Sequence, residues 1–142
     1  MAATTTRGLS KIASTSPDYN NPLVTAHNSA LDALDAWKAV EVDAASGAIA
    51  SKEGSVFITK AGVAVMTLPL PTAGLPSAGG DDGRELTIIT TGAYAHTVTT
   101  PAGGLNGASH IATFAAAVGN NIKLKAYNAV WYVESSIGIT LS

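Results

Sequence analysis

Residues 121 to 133 read Asn-Ile-Lys-Leu-Lys-Ala-Tyr-Asn-Ala-Val-Trp-Tyr-Val, and this stretch decides the fold class. In its first half, apolar residues alternate with lysine and tyrosine. Successive side chains of a β-strand point to opposite faces, so this alternation predicts a strand, and the aromatic run after it predicts a second one. Asn128-Ala129 between them is short enough to be a turn. The stretch therefore predicts a β-hairpin.

The same signature recurs through residues 54 to 142, where short segments rich in Val, Ile, Thr and aromatic residues are separated by Gly, Pro and Asn. The predicted strands are Val56–Thr59, Val63–Leu68, Leu86–Thr91, Ala95–Thr100, Ile111–Phe114, Ile122–Tyr127, Val130–Val133 and Ile137–Leu141. The predicted core contains Phe57, Ile58, Leu86, Ile88, Val98, Phe114, Ile122, Leu124 and Val133. So many short strands favour a mainly β fold, either a small β-sandwich or a jelly-roll-like barrel.

The N-terminal part reads differently, and we place a boundary between residues 1–50 and 51–142. Residues 1 to 21 are polar and show no period, which predicts an extended arm without a fold of its own. Such an arm is either a disordered tail or a segment that orders on a partner. From Asn21-Pro22, apolar residues recur at helical spacing through about Val42, which predicts one short helix.

Composition narrows the choice of partners. Only 13% of the residues are charged and the formal net charge is -2, so no cluster of Lys and Arg offers a hold on phosphate. We expect neither nucleic acid nor membrane as a partner. The chain has no cysteine, which excludes disulfides and thiolate metal sites. No apolar run approaches the length of a membrane span, and the first residues lack a secretory signal, which predicts a product made in the cytoplasm.

No residue cluster predicts catalysis, a metal site or a cofactor. The histidines, His27, His96 and His110, lack the paired spacing of metal ligands. Asp81-Asp82 in a glycine-rich turn supplies too few oxygens for calcium, and the glycines of residues 103–107 lead into no phosphate-binding helix. We therefore expect a protein that is not an enzyme and that needs no cofactor.

Aromatic residues are the candidates for contacts between subunits. Trp131 and Tyr132 point to opposite faces of their strand, so one is expected in the core and the other at the surface or at a contact. In the predicted helix, Leu34 and Trp37 follow spacing that suits packing against copies of itself, or against a sheet. We assign Leu34, Trp37, Trp131 and Tyr132 to a subunit interface.

Three passages, taken in order, carry a resemblance to a known family: residues 57–64, then residues 81–89 with 95–99, and finally residues 129–133. This order resembles the head-fibre or capsid-decoration (cement) proteins of tailed phages. The likeness covers about residues 54 to 142. It departs from the family pattern at Asn128-Ala129, where Asn-Gly or Gly-Gly is more usual.

The resemblance implies a homotrimer on the outer surface of the phage head, assembled in the host cytoplasm and bound to the major capsid protein through its N-terminal part. The arm residues that we assign to capsid binding are Arg7, Leu9, Lys11, Ile12 and Tyr19. A receptor- or glycan-binding fibre domain of a phage head or tail is the alternative. A small glycan-active enzyme is a more distant one, since it would need carboxylates that converge in a cleft.

Overall fold

The structure is a computed structural model, and it describes the backbone of residues 2–4 and 10–12 and the full residues 27–29 and 40–142. The chain divides into two compact units, Met1–Ala39 and Val40–Ser142. The boundary thus lies between Ala39 and Val40 rather than near residue 50.

The described part of the first unit contains one pair of strands. β1 (Ala2–Thr4) runs antiparallel to β2 (Ser10–Ile12), with Ala2 opposite Ile12. The expectation of an arm without a fold of its own is wrong at these residues, because their backbones pair with each other. Residues 27–29 are helical, as predicted, and the rest of the predicted helix up to Ala39 lies outside the described residues.

The second unit is mainly β, with two five-stranded sheets. The first sheet has the order β11-β10-β7-β5-β3 and the second the order β12-β9-β8-β6-β4. The strands are β3 (Val40–Asp43), β4 (Gly47–Ala48), β5 (Gly54–Ile58), β6 (Val65–Thr67), β7 (Glu85–Thr90), β8 (Thr97–Thr99), β9 (Ile111–Phe114), β10 (Asn121–Tyr127), β11 (Val130–Ile137) and β12 (Ile139–Leu141). A short 3₁₀ helix, Pro76–Ala78, precedes β7.

From β3 to β8 the chain changes sheet at every strand. Strands β3, β5 and β7 are therefore parallel neighbours in the first sheet, and β4, β6 and β8 are parallel neighbours in the second. Each two-strand turn of the chain lies on the previous one, as in a solenoid. Strands β9 to β12 then add to both sheets in antiparallel fashion. The parallel half sets this sandwich apart from a jelly roll, whose strands are antiparallel.

The core lies between the two sheets and takes alternate side chains from each strand. Ile88 of β7, Leu124 of β10 and Phe114 of β9 are no more than 1% exposed. Seven of the nine predicted core residues are buried, namely Ile58, Leu86, Ile88, Val98, Phe114, Ile122 and Leu124, and Val133 packs partly buried against them. Phe57 was wrongly predicted: it lies one residue before the buried Ile58 and points to the outer face of its sheet.

The predicted hairpin is confirmed. Tyr127 pairs with Val130, and the two residues between them have positive φ values, 47° for Asn128 and 61° for Ala129. Positive φ at both central positions is what a type I′ turn requires, and this turn matches the twist of the flanking strands. The Asp82 carboxylate fixes the turn from outside by accepting a hydrogen bond from the Asn128 N–H at 2.7 Å.

The predicted helix was extended too far, through about Val42, because residues Val40–Asp43 are a strand. They form edge strand β3, paired in parallel with β5. Val40 and Val42 point outward, and Glu41 and Asp43 lie on the core side, opposite Val56 and Ile58. Because the acidic residues face inward and the valines outward, the alternation is the reverse of an ordinary half-buried strand. Inward-pointing charges on an edge strand discourage further strand addition.

Candidate functional surface

The outer face of the first sheet carries large apolar side chains on four of its five strands. Val42, Phe57, Ile89, Asn121 and Ile137 are successive partners in the strand register. The side chains of Val42 and Ile137 at the two ends are 62% and 63% exposed, while Phe57 and Ile89 in the middle are partly buried. We call Val42, Phe57, Ile89 and Ile137 the apolar row. Val42, Phe57 and Ile89 are adjacent, and Asn121 separates them from Ile137. Large apolar patches on a protein surface often mark contact sites.

The same face carries four charged side chains toward the hairpin, which we call the ion quartet: Glu85, Lys123, Lys125 and Glu134. Lys123 lies 3.4 Å from Glu85 and 3.2 Å from Glu134, and Lys125 lies 3.2 Å and 3.1 Å from the same two carboxylates. Hydrogen bonds from Lys125 and Lys123 lower the pKa of Glu134, and those to Glu134 and Glu85 raise the pKa of Lys125. The quartet is neutral as a whole.

Two tyrosines end this face at the hairpin. Tyr132 pairs with Lys125 across the strands, and Tyr127 lies two residues further along β10 on the same side. Their side chains are 43% and 62% exposed. Two exposed aromatic rings on one sheet face can stack on a flat apolar ligand surface.

The outer face of the second sheet is built mostly from threonine, together with Val65 and Ile111. Val65, Thr97, Thr113 and Thr140 form one row in register. At the end of this face a groove of about 390 Å³ is lined by Ala48, Thr67, Leu68, Pro69, Thr99, Thr100 and Pro101. Its lining contains hydroxyl groups and apolar surface, and it contains no carboxylate, imidazole or amine that could transfer a proton.

The acidic turn at Asp81 and Asp82 serves the fold. Asp81 is 6% exposed and accepts hydrogen bonds from Lys52 at 2.8 Å and from the Thr72 N–H at 2.7 Å, while Arg84 lies 3.1 Å away. Burial by itself would raise the pKa of Asp81, but the bonds from Lys52 and Thr72 outweigh it and lower the pKa. The carboxylate is thus occupied by the chain's own cations, and within residues 27–29 and 40–142 no group of three or more potential metal ligands comes together.

The edge strand β3 carries two carboxylates, Glu41 and Asp43, whose pKa values are shifted in opposite directions. Glu41 accepts hydrogen bonds from the N–H groups of Ala50 and Ser51 at 2.8 and 2.6 Å; burial would raise its pKa, but hydrogen bonds, first that of Ser51, lower it. Burial and the charge of Glu41 raise the pKa of Asp43. This arrangement ties β3 to the connection that follows β4.

Of the two histidines in the second unit, one is buried and the other is exposed. His96, just before β8, is fully buried, and its Nδ1 accepts a hydrogen bond from the Ala64 N–H at 3.0 Å. His110 is an exposed loop residue whose backbone N–H donates to the Ser142 carbonyl at 2.8 Å. His27 lies in the other unit.

The predicted interface residues differ in how the structure places them. Trp131 is 0% exposed and donates its indole N–H to the Pro69 carbonyl at 3.0 Å. Its side chain fills the chain's own core and has no surface left for another subunit, which corrects its assignment to the interface. Tyr132 is exposed on the outer face, so one of the two neighbouring aromatic residues is in the core and the other at the surface, as the alternation predicts. The place of Tyr132 in a subunit interface stays a prediction. Leu34 and Trp37 lie outside the described residues.

The predicted capsid-binding residues belong to the first unit. Lys11 and Ile12 are in β2, where only the backbone is described. Arg7, Leu9 and Tyr19 lie outside the described residues. Their assignment stays a prediction.

Sequence reasoning missed the apolar row. Its four members lie on strands far apart in the chain, and only the pairing of β3, β5, β7, β10 and β11 aligns them. One signal was present, since Phe57 directly precedes Ile58 and Ile88 directly precedes Ile89. In each pair of apolar neighbours within a strand, one must point away from the core.

None of the helices in the described segments has the length and apolar character needed to cross a membrane. A comparison with protein-family models finds no match, and a comparison with curated proteins finds no match either.

Proposed function

We propose that the protein is a structural component of a tailed-phage virion. It decorates the outside of the head as a homotrimer, binds the lattice of the major capsid protein and bridges or stabilises neighbouring capsomers. It acts by binding and needs neither catalysis nor a cofactor, and its partners are the shell and its own copies, without nucleic acid or membrane.

The observation that carries the proposal is that the passages behind the family resemblance cooperate in one β-domain. Asp81, Asp82 and Arg84 of the second passage form the ionic turn before β7, and Asp82 holds the hairpin turn that begins the third. Trp131 of the third passage anchors the core against Pro69. The resemblance therefore rests on side chains that stabilise the fold. This supports a shared architecture rather than a chance similarity of composition.

Repeated weak contacts supply the strength of binding in this proposal. A trimer offers three attachment segments to a repeating lattice, and engagement of the first raises the effective concentration of the others. The N-terminal part, residues 1–39, is the proposed anchor, because it forms a compact unit of its own. Its strands β1 and β2 offer backbone groups that can pair with sheet edges of the shell.

The decisive experiment mixes purified heads lacking the protein with either the full chain or a variant lacking Ala2 to Asn20. Copy number per head is counted by cryo-electron microscopy and mass spectrometry. We expect high, regular occupancy for the full chain and none for the variant, which should remain a folded oligomer. Absence of the full chain from heads rejects the function. Full occupancy by the variant leaves decoration standing and moves the anchor to the helix or the β-domain.

A second candidate, a receptor- or glycan-binding fibre domain, is favoured by the exposed pair Tyr127 and Tyr132. Under this alternative the tyrosine rings stack on sugar rings of a host surface. Replacing both by alanine would then abolish binding to host cells without changing occupancy on heads. Under decoration alone, the double variant behaves like the full chain in both assays.

A further inference from the structure

We propose that Asn106 is a site of spontaneous covalent modification, at which the backbone nitrogen of Gly107 displaces the side-chain amide. The two residues are the centre of a turn between β8 and β9, and both have positive φ, 53° and 74°. The Ala108 N–H closes this turn on the Leu105 carbonyl at 3.2 Å. Asn-Gly is a pair that such turns favour, and glycine, without a Cβ, hinders attack by its own nitrogen least.

The nitrogen that attacks is not engaged by the fold. The Gly107 N–H donates no hydrogen bond to any residue that the structure describes. Asn106, Gly107 and Ala108 are all exposed, so water reaches the reacting atoms. The tip of the turn can therefore rotate into the geometry of attack without moving a core side chain.

The fold also places a donor at the oxygen on which charge develops. The Val133 N–H, on edge strand β11, donates to the Asn106 Oδ1 at 2.9 Å. Attack on Cγ converts this carbonyl oxygen into an oxyanion, and a backbone N–H already directed at it stabilises the developing charge. The departing Nδ2 donates no hydrogen bond within the described residues. Nucleophile and leaving group are thus free, while the oxygen is held.

The reaction needs only the chain and water. The Gly107 nitrogen forms a bond to Cγ of Asn106, and its proton passes to Nδ2, which leaves as ammonia. The product is a five-membered succinimide ring. Water then adds to one ring carbonyl and breaks its bond to the nitrogen. Opening at Cγ gives aspartate, and opening at the α-carbonyl gives isoaspartate, whose main chain runs through Cγ. One water is consumed, and one negative charge is added to the formal net charge of -2.

Two comparable sites in the β-domain are blocked by the fold. Asp82 also precedes a glycine, but the Gly83 N–H donates to the Ala126 carbonyl at 2.8 Å, and a carboxylate is a poorer electrophile than an amide. Asn120 is only 6% exposed, and its Nδ2 donates to the Ala115 carbonyl at 2.7 Å. Asn106 differs from both in its free neighbouring nitrogen and free amide.

Modification at this position changes how the edge of β11 is covered. Residues 104–106 lie along that edge, where the Trp131 N–H donates to the Gly104 carbonyl and the Asn106 N–H donates to the Trp131 carbonyl, both at 2.9 Å. Aspartate keeps a side-chain oxygen for the Val133 N–H. Isoaspartate lengthens the main chain by one carbon and shortens the side chain, so we expect this bond to be lost. An edge N–H without a partner is open to pairing with another strand.

The first test ages the full, unmodified chain in mildly alkaline buffer and follows each asparagine by peptide mass spectrometry. Two asparagines in the same sample are controls: Asn121, whose Nδ2 donates to the Gly119 carbonyl at 3.0 Å, and Asn128, which precedes Ala129. We expect Asn106 to be converted several-fold faster than either, with oxygen from isotopically labelled water in the product. Conversion no faster than at the controls overturns the proposal. So does conversion only in urea, because the fold would then close the site.

A variant tests the role assigned to the glycine nitrogen. In Gly107→Ala the added Cβ meets no atom within 4 Å, although the φ of 74° is strained for alanine. We expect conversion at Asn106 to slow several-fold while Asn121 and Asn128 react as before. Circular dichroism checks that the variant is folded. An unchanged rate at Asn106 in the folded variant overturns the assignment of the Gly107 nitrogen as nucleophile.

Hydrogen exchange tests the effect on β11. The isoaspartate form is separated from the aged sample by chromatography, and Asn106→Asp serves as the control with an ordinary main chain. We expect the Val133 amide to exchange several-fold faster in the isoaspartate form than in the fresh chain, and the Asn106→Asp variant to behave like the fresh chain. Full protection of Val133 in the isoaspartate form overturns the inferred opening of the edge.

Discussion

His96 is the residue whose chemistry is most constrained by its surroundings. Its Nδ1 accepts the Ala64 N–H, so the neutral ring carries its proton on Nε2. Nε2 is itself buried and has no hydrogen-bond partner within the described part of the chain. Protonation would put a second proton on Nδ1, break the bond to Ala64 and place a charge in the interior. Burial, and secondarily the charge of Lys60, lower the pKa of His96 accordingly.

This burial predicts loss of stability in mild acid. The unfolded chain takes up the proton near the ordinary pKa of 6.5 and the folded chain only at lower pH, so the contribution of His96 is complete above pH 6.5 and is lost as the pH falls toward the folded pKa. Within that window the free energy of unfolding should fall by up to about 1.4 kcal/mol per pH unit. Urea denaturation between pH 7 and pH 5 measures it. The slope should flatten in His96→Asn and persist in the exposed control His110→Asn.

The chain's two phenylalanines provide a contrast at the same scale. Phe114 is fully buried between the sheets, whereas Phe57 points outward. We expect Phe114→Ala to lower the free energy of unfolding by about 3–5 kcal/mol and Phe57→Ala by less than about 1 kcal/mol. Denaturant titration measures both losses. Equal losses would mean that Phe57 belongs to the core after all.

At the scale of elements, the hairpin β10–β11 shows what a local pattern can specify. Its alternation, its turn position and the inward side of Ile122 and Leu124 are all readable from residues 121 to 133, because the interactions are between neighbours in the sequence. Strand β3 is the opposite case. In β3, Val40 and Val42 point outward while Glu41 and Asp43 face the core side. A rule that places apolar residues inside therefore misses this strand and extends the predicted helix through Val42.

The turn of this hairpin predicts a stabilising substitution. Ala129 has a φ of 61°, a conformation that costs an L-residue about 1–2 kcal/mol and costs glycine almost nothing. After the greater entropy of glycine in the unfolded chain is subtracted, Ala129→Gly should raise the free energy of unfolding by about 0.5–1 kcal/mol. Thermal and denaturant unfolding measure the change. Ala126→Gly, in the buried middle of β10, is the matched control and should be destabilising.

At the scale of the whole molecule, the candidate surface depends on pairing that no local signal contains. The prediction of a mainly β fold follows from strand composition, but the parallel order β3-β5-β7 and the change of sheet at each strand follow from contacts between distant segments. The apolar row exists only because of that order. Sequence alone predicted that Trp131 and Tyr132 lie on opposite faces with one of them in the core, but it did not decide which and assigned both to a subunit interface. It also placed Phe57 in the core, whereas Phe57 points outward.

The corrected domain boundary predicts how fragments behave. Residues 40–142 include edge strands β3 and β4, whereas residues 51–142 lack both and leave β5 and β6 as new edges. The longer fragment should unfold cooperatively with a β-type circular dichroism spectrum. The shorter one should melt at lower temperature and aggregate more readily, because the new edges are unprotected. Equal melting temperatures would show that β3 and β4 add nothing to the sandwich.

The sheet-to-sheet path of the chain also bears on the time course of folding. Strand β7 pairs with β10 on one side and β9 pairs with β12, so the two sheets are complete only after β11 and β12 have been synthesised. Within residues 40–142 only the hairpin β10–β11 and the pair β8–β9 join consecutive strands, and the other six pairings join strands further apart. Chains dominated by distant pairings fold in milliseconds to seconds rather than microseconds. On the ribosome, the emerging chain therefore exposes one free edge of β7 until β10 has been synthesised. For this architecture, the chain needs more time to fold before it meets other copies than a chain built from local hairpins does.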